Sequence, residues 1–483
     1  MKKLLFLIGI LSSGLYGASI DHIQTYSPDY LANQAQTGMI DEVSAYYNPA
    51  GLSRLDKGKY VHLGLQLANG HEKMSYKGKE HKAHLTQLIP NVSLTSVDDN
   101  GAYFFTFGGL AGGGKLEYDG VSGIDVLSDL EQFKPLGVYD KGSSLTGKNL
   151  YEQATLGRAF TVNDQLSISV AGRIVHGSRK LSGTLNIGTN PSTAYKQAKV
   201  QQVTQEVSKA VDAATQGSGL SAAQIAAIKQ QKTTQALTLL QTKMNALQQN
   251  GLSGDMDSKR EAWGYGFQIG INYKVNDKLN LAARYDSRIK MNFKAKGSEN
   301  QLQTTDILGS NIGLSTFYPQ YTIDSKIRRD LPAILSVGAS YKVTDNYLVS
   351  TSANYYFNRH AKMDRVTTFG GHEHGRDYKN GWEIALGNEY KLNDKFTLIG
   401  SVNYARTGAK SSSFNDTEYA LNSVTLGAGL RYKYDDTLSI TGSVAHFIYD
   451  KEDGNFKEKY KVNDNQKYHK EITAFGISLT KKF

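Results

Sequence analysis

The feature that most constrains this chain is an alternation with a period of two residues that recurs in long segments. In "EAWGYGFQIGINYKV" (261–275), Trp263, Tyr265, Phe267, Ile269, Ile271 and Tyr273 share one parity, and Gly264, Gly266, Gln268, Gly270 and Asn272 the other. "NSVTLGAGLRYKY" (422–434) sets Val424, Leu426, Leu430 and Tyr432 against Thr425, Gly427, Gly429 and Arg431. "ITAFGISLTKKF" (472–483) sets Phe475, Ile477, Leu479 and Phe483 against Gly476, Ser478, Thr480 and Lys482. A strand turns successive side chains to opposite faces, so each segment has one apolar face and one small or polar face. These segments run to about ten to fifteen residues, well beyond the five or six of an ordinary strand. Their aromatics collect near the ends, as in the interfacial girdles of membrane barrels. A face of glycine and charge suits a wet lumen better than a packed core.

Fourteen such segments are expected, the first two over 59–68 and 83–97. An even count is what a bacterial barrel requires. Six short connections recur, among them "VNDQ" (162–165), "VNDK" (275–278), "LNDK" (392–395) and "KYDD" (433–436). Asn and Asp suit such reversals because they tolerate left-handed backbone and bond locally. Fourteen strands with both ends on one side need six turns there and seven loops opposite. The short turns mark the periplasmic side and the seven longer segments the outside. In lipid every backbone N–H and C=O must be paired, so the sheet is expected to close.

The ends and the composition agree with export. Met1-Lys2-Lys3, the apolar run "LLFLIGIL" and the small residues of "SSGLYGA" form a signal peptide over 1–17, with cleavage after Gly17 or Ala18. Residues 18–58 are then a plug and 59–483 the barrel. Cysteine is absent, which excludes disulfides and thiolate chemistry. The net charge of +10 points to anionic lipid head groups or a carboxylate ligand rather than nucleic acid. Outer-membrane lipid or lipopolysaccharide is therefore an expected partner.

One stretch breaks the period. Over 195–250, Val200, Val203, Val207 and Val211 recur at helical spacing, as do Leu237, Leu240, Met244 and Leu247. Ser221 and Gln224 have the spacing of a capping box. The expectation is a helical hairpin inserted between strands five and six, outside the cell, with its two stripes packed together. Such a hairpin also suits a surface adhesin that binds a host or bacterial surface protein, the alternative function.

No P-loop, zinc HExxH or GxSxG elbow is present, so no enzyme, cofactor or metal is expected. His372 and His374 in "GGHEHGR" lack an evident third ligand and read as a solvated loop. "GGLAGGG" interrupts strand three with Gly108, Gly109, Gly112, Gly113 and Gly114, which signals a bulge or bend there. By parity Arg173 and Arg179 of strand five face the lumen. Each wants a carboxylate, either a ligand's or a wall acid such as Glu383 or Glu389.

"YYNPAGL", with Tyr46, Tyr47, Asn48, Pro49, Ala50 and Gly51, reads as a rigid aromatic turn just before strand one. Here the chain resembles the outer-membrane long-chain fatty acid transporter (FadL) family, which includes the toluene-type transporters. The resemblance rests on "TGMIDEVSAYYNPAGLSRLDKGKY" (37–60), with Asn48-Pro49-Ala50 as the family's plug motif. It extends to "RRDLPAILSVGASYKVTDNYLVSTSANYYF" (328–357), "LGNEYKLNDKFTLIGSVNYARTG" (386–408) and the C-terminal Phe483, a signal to the barrel assembly machinery. The resemblance implies passive uptake of long-chain fatty acids or other hydrophobic molecules. Ligand is captured in a groove of the third and fourth outer loops, moves to a lumen site above a hatch, and leaves through a gap at a kink in strand three. On this mapping Ile307, Leu308, Ile312, Leu314, Phe317 and Tyr318 line the groove, "GGLAGGG" is the kink and Arg179 falls near a carboxylate-binding arginine. "YYNPAGL" is then the hinge and seal of the hatch.

Overall fold

The structure is a computed structural model that describes residues 26–131, 133–299, 326–363, 366–367, 373–374, 378–414, 416 and 419–483. The expected signal peptide and the groove residues Ile307, Leu308, Ile312, Leu314, Phe317 and Tyr318 lie outside the described residues.

The alternating segments form fourteen antiparallel barrel strands among the described residues. They are β1 (Gly58–Tyr76), β2 (Lys79–Asp98), β3 (Gly101–Tyr118), β4 (Ser144–Thr161), β5 (Leu166–Thr189) and β6 (Leu252–Lys274). β7 comprises Leu279–Asp286 and its continuation Asn292–Glu299, and β8 comprises Lys326–Arg328 and Ile334–Thr344. β9 (Tyr347–Tyr356), β10 (Gly381–Lys391), β11 (Phe396–Arg406), β12 (Ser423–Lys433), β13 (Leu438–Tyr449) and β14 (Lys467–Lys482) complete the wall. β14 pairs with β1 from Tyr60↔Lys482 to Ser75↔Lys467, so the sheet closes. The Phe483 N–H donates to the Lys59 carbonyl at 2.8 Å, clasping the last residue to the first strand.

The short turns share one mechanism. The Asn163 side-chain oxygen accepts from the N–H of Gln165 (2.9 Å) and Leu166 (2.7 Å). Asn276 does the same for Lys278 and Leu279, Asn393 for Lys395 and Phe396, and Asp435 for Thr437 and Leu438. The "ND" and "DD" repeats are thus four copies of one side-chain-closed turn.

Two expectations need correction. β1 and β2 extend beyond 59–68 and 83–97 and meet in the two-residue turn Lys77-Gly78, so the first outer connection is tight, not long. Both turn residues have positive φ (48° and 83°), the left-handed pair a two-residue hairpin demands. Its polar flanks "NGHEKMSYKGKEHK" hide an upper strand pair that stands clear of the apolar band. "YYNPAGL" is also not a reversal. Tyr46 and Tyr47 end a helical turn, α2 (Ser44–Tyr47), Asn48 is extended, and Pro49 starts a 3₁₀ turn over Pro49–Arg54. Proline at the first helical position gives up an N–H that would have no partner anyway.

The insertion is a helical hairpin, α3 (Thr193–Thr215) and α4 (Ala222–Asn250), with α1 (Pro28–Ala32) lying earlier in the plug. Ser221 and Gln224 form the expected capping box. The stripes do more than pack together: Leu240, Met244 and Leu247 are buried in the apolar cluster that roofs the barrel. Farther out, Val207, Val211, Ile228 and Leu239 line a cleft of about 510 Å³ between the two helices.

Candidate functional site

The plug fills the barrel and is held by the small polar side chains that alternation turns inward. Ser443 donates to the Pro28 carbonyl (2.8 Å), Ser401 to that of Ala32 (2.8 Å), Asn280 and Ser340 to that of Gly38 (2.9 and 2.8 Å) and Ser167 to that of Ala50 (2.7 Å). Ser350 accepts from the Asn33 side chain and Ser352 from the Thr37 N–H. Asn48 donates to the Ile271 carbonyl at 2.9 Å, and Gly270 leaves the space its side chain occupies. Arg54 reaches the carbonyls of Asn163 and Asp164 in the short β4–β5 turn. The glycines and serines of the inner face thus form a binding surface for backbone.

Tyr26, Tyr30, Tyr46 and Tyr47 stack into one buried group, with centroids 5.6 Å apart for Tyr26 and Tyr47 and 5.8 Å for Tyr30 and Tyr47. Burial pushes the Tyr46 phenol well above its usual range, so it is a neutral donor and acceptor at all ordinary pH. Above it the lumen is apolar, with Leu110, Ala111, Tyr151, Val175, Met291, Phe293 and Tyr356 in the same cluster. Leu110 and Ala111 belong to "GGLAGGG". The plug tyrosines and the glycine segment are therefore two ends of one apolar patch.

The β2–β3 seam is incomplete. Pairing runs from Asp98↔Gly101 to Asn91↔Gly108 and stops there. Above this level β3 pairs with β4 alone, with register shifts between Gly109 and Ala111 and between Ala111 and Gly114. Gly112 and Gly114 have φ of +124° and +73°, and a Cβ on Gly112 would strike the Asn149 carbonyl. Gly108 also has positive φ, at the last pair. Gly109 and Gly113 lie within the same strand. Opposite stands Pro90, whose ring lacks the ladder donor; proline in a sheet belongs at an edge. The sequence reading passed over Pro90, although a proline inside "LIPNVSLTSV" is the signal that would have found the edge. Asn91, at the last pair, donates to the Tyr46 hydroxyl at 2.8 Å, so the plug motif touches the point where the seam ends.

Arg173 is a wall residue. It lies 3.0 Å from Asp286 and donates to Thr155 at 3.3 Å. Its partner is neither Glu383 nor Glu389: Glu383 accepts from Asn354 and Tyr356, and Glu389 from Arg431. Those acids lie on β10, across the barrel, whereas Asp286 ends the lower segment of β7. Asp286 also binds Arg284 at 2.8 Å. Arg284, which the sequence reading did not single out, donates to the carbonyls of Tyr46 and Tyr47 and anchors the plug motif. Arg179 is buried farther up β5 and stands directly across from the buried Arg260 of β6. His372 lies outside the described residues, among which no group of three His, Asp or Glu is placed to hold a metal.

Residues 139–483 match the family described as outer membrane protein transport protein (OMPP1/FadL/TodX). Outer membrane protein P1 of Haemophilus influenzae is 24% identical over 337 residues, or 66% of this chain and 64% of that protein, so the match spans just under two thirds of this relative. The long-chain fatty acid transport protein of Escherichia coli K12 is 20% identical over 273 residues, 56% of this chain and 58% of that protein. Among solved structures, a Pseudomonas aeruginosa FadL homologue superposes with a TM-score of 0.62 at 17% identity, covering 95% of this chain and 99% of that one. The Pseudomonas putida toluene transporter TodX superposes at 0.59 and 16% identity, covering 92% and 94%. At these identities the structural likeness shows the fold. The chain belongs to the outer membrane protein transport family (OMPP1/FadL/TodX), transport channels of the bacterial outer membrane rather than enzymes.

Proposed function

We propose that this protein imports long-chain fatty acids or comparable hydrophobic molecules by passive diffusion, and that they leave the lumen sideways through the β2–β3 seam. The observation that carries this reading is the continuous apolar patch from the plug tyrosines to Leu110 and Ala111, beside the level where β2–β3 pairing ends. Each buried CH₂ is worth roughly 0.8 kcal/mol, so an acyl chain needs an apolar neighbour at every step. The lumen patch and the seam supply neighbours in sequence, while an aqueous pore would not. Arg179, buried and directly across from Arg260 on the inner face of β5, is the candidate for meeting a ligand carboxylate in this reading. In this reading "YYNPAGL" seals the lumen floor, so that the exit is lateral. Uptake of radiolabelled oleate by cells lacking and re-expressing the protein tests it. Uptake that rises with expression supports the reading; equal uptake in both strains sinks it.

The exposed distal half of the α3–α4 hairpin favours a second reading, adhesion to a host or bacterial surface protein. Deleting 195–250 discriminates: loss of cell adhesion with unchanged oleate uptake assigns the hairpin to adhesion.

A further inference from the structure

Five lysines far apart in sequence fall on one cross-strand row. Lys115 of β3 pairs with Lys148 of β4, Lys148 with Lys180 of β5, Lys180 with Lys259 of β6 and Lys259 with Lys296 of β7. All five side chains point outward and are exposed. Neighbouring strands lie about 4.8 Å apart, so five ammonium groups crowd a band roughly 20 Å wide. Like charges directly opposed on a sheet oppose its pairing, and a row of them calls for counter-charge. The chain supplies part of it: Glu117 pairs with Lys115, Asp257 with Lys180 at 3.0 Å, and Glu261 with Lys259 and Lys296. Lys148, between Lys115 and Lys180, has no ion pair among the described residues.

What lies beneath the row decides what kind of anion fits. Four residues below Lys259, or ~13 Å along the strand, Trp263 is 62% exposed and marks the upper membrane interface. His176 packs against it at a tilt, with centroids 4.7 Å apart, and lies 3.7 Å from Glu152. Below come the lipid-facing Tyr265, Phe267, Ile174, Val170 and Leu156. A soluble anion would use only the lysines. A ligand with phosphates above and several acyl chains below uses the whole face.

We propose that this face of the barrel docks a phosphorylated glycolipid of the outer leaflet. Its phosphate oxygens lie against Lys148 and the flanking ammonium groups, and its acyl chains run down past Trp263. Lys115 directly follows the glycine bulge, so the docked lipid borders the open seam.

The test is native mass spectrometry of the full-length protein in detergent, titrated with bisphosphorylated lipid A, its dephosphorylated form and phosphatidylglycerol. Wild type should retain bisphosphorylated lipid A in preference to both others, with affinity falling as salt rises. The variant Lys148→Gln/Lys180→Gln/Lys259→Gln should bind on the order of 100-fold more weakly, from about one kcal/mol per lysine. The corresponding arginine variant should restore binding. Heat-modifiable gel migration checks the fold; should the triple variant fail to assemble, Lys148→Gln alone should still weaken binding about fivefold. Unchanged binding in the glutamine variants, or equal binding of dephosphorylated lipid A, overturns the proposal. A preference for phosphatidylglycerol assigns the row to another occupant and overturns it too.

Discussion

Two seams of this barrel are built from similar strands and end differently. The β5–β6 seam runs without a shift from Leu166↔Tyr273 to Ile187↔Leu252, well past the membrane. The β2–β3 seam stops at Asn91↔Gly108, part-way up the wall. Hydrophobicity does not separate them. What differs is backbone chemistry: β2 carries Pro90 at the stopping point, and β3 carries glycines with positive φ where β6 carries alternating side chains. A seam left open at membrane depth is costly unless protein or ligand covers it. Side chains from β2 cover it here, since a Cβ on Gly114 would lie 2.8 Å from Leu85 and 3.5 Å from the Gln87 Cβ.

That geometry offers the largest expected effect. Because the chain has no cysteine, Gln87→Cys with Gly114→Cys is a unique pair, and the 3.5 Å Cβ separation is within disulfide range. Oxidation should reduce oleate uptake at least about tenfold, and a reductant should restore it. The same cross-link at the opposed Ser178 and Glu261 of the complete seam should leave uptake unchanged. Equal effects at both seams would remove the distinction between them. Next in size, Gly109→Val with Gly112→Val should lower uptake by roughly tenfold. Heat-modifiable migration should persist, because the closing β1–β14 pairing is untouched.

The plug side of the seam is tested by Arg284→Met. It removes the donors to Tyr46 and Tyr47 but leaves Asp286 paired with Arg173, so the cost should be about 2 kcal/mol of stability. Entry of polar antibiotics should rise as the plug loosens, read as a lower inhibitory concentration. Tyr46→Phe deletes the hydroxyl that accepts from Asn91 and also meets the Ser93 side chain; it should cost about 1 kcal/mol and raise uptake by loosening the plug at the end of the seam.

The smallest effect concerns pH. Burial, with the neighbouring Glu42 charge adding to it, pushes the Asp41 carboxyl up to about 7, although part of its surface reaches solvent. Raised above its unfolded value of 3.8, it favours the folded plug when protonated. That contribution is complete below the unfolded value and is lost as pH rises through 7. Asp41→Asn should therefore flatten the decline in plug protection between pH 5 and pH 8, measured by amide hydrogen exchange of residues 26–55. An unchanged slope would remove Asp41 as its cause.

How far the sequence went depended on whether a property was local. The strand number, the short turns, the helical hairpin with its Ser221 cap and the glycine irregularity in β3 were all legible. Each follows from neighbouring residues: side-chain parity, turn chemistry, helical spacing or missing Cβ atoms. The upper halves of β1 and β2 were missed because strands that leave the membrane lose their apolar face, and Lys77-Gly78 is a weaker hairpin signal than Asn-Gly. Parity placed Arg173 in the lumen but could not name its partner, because Asp286 lies 113 residues away on another strand.

By itself, then, the sequence determined a closed outer-membrane barrel with a plug tied to its first strand. Alternation of period two and the need to pair every backbone group in lipid leave few other solutions. Register across strands, which no single segment encodes, decided the rest. It set where the β2–β3 ladder ends, which acid neutralises Arg173, and how five lysines between positions 115 and 296 come to share one row. A one-residue slip in any of those strands would turn its lysine into the lumen.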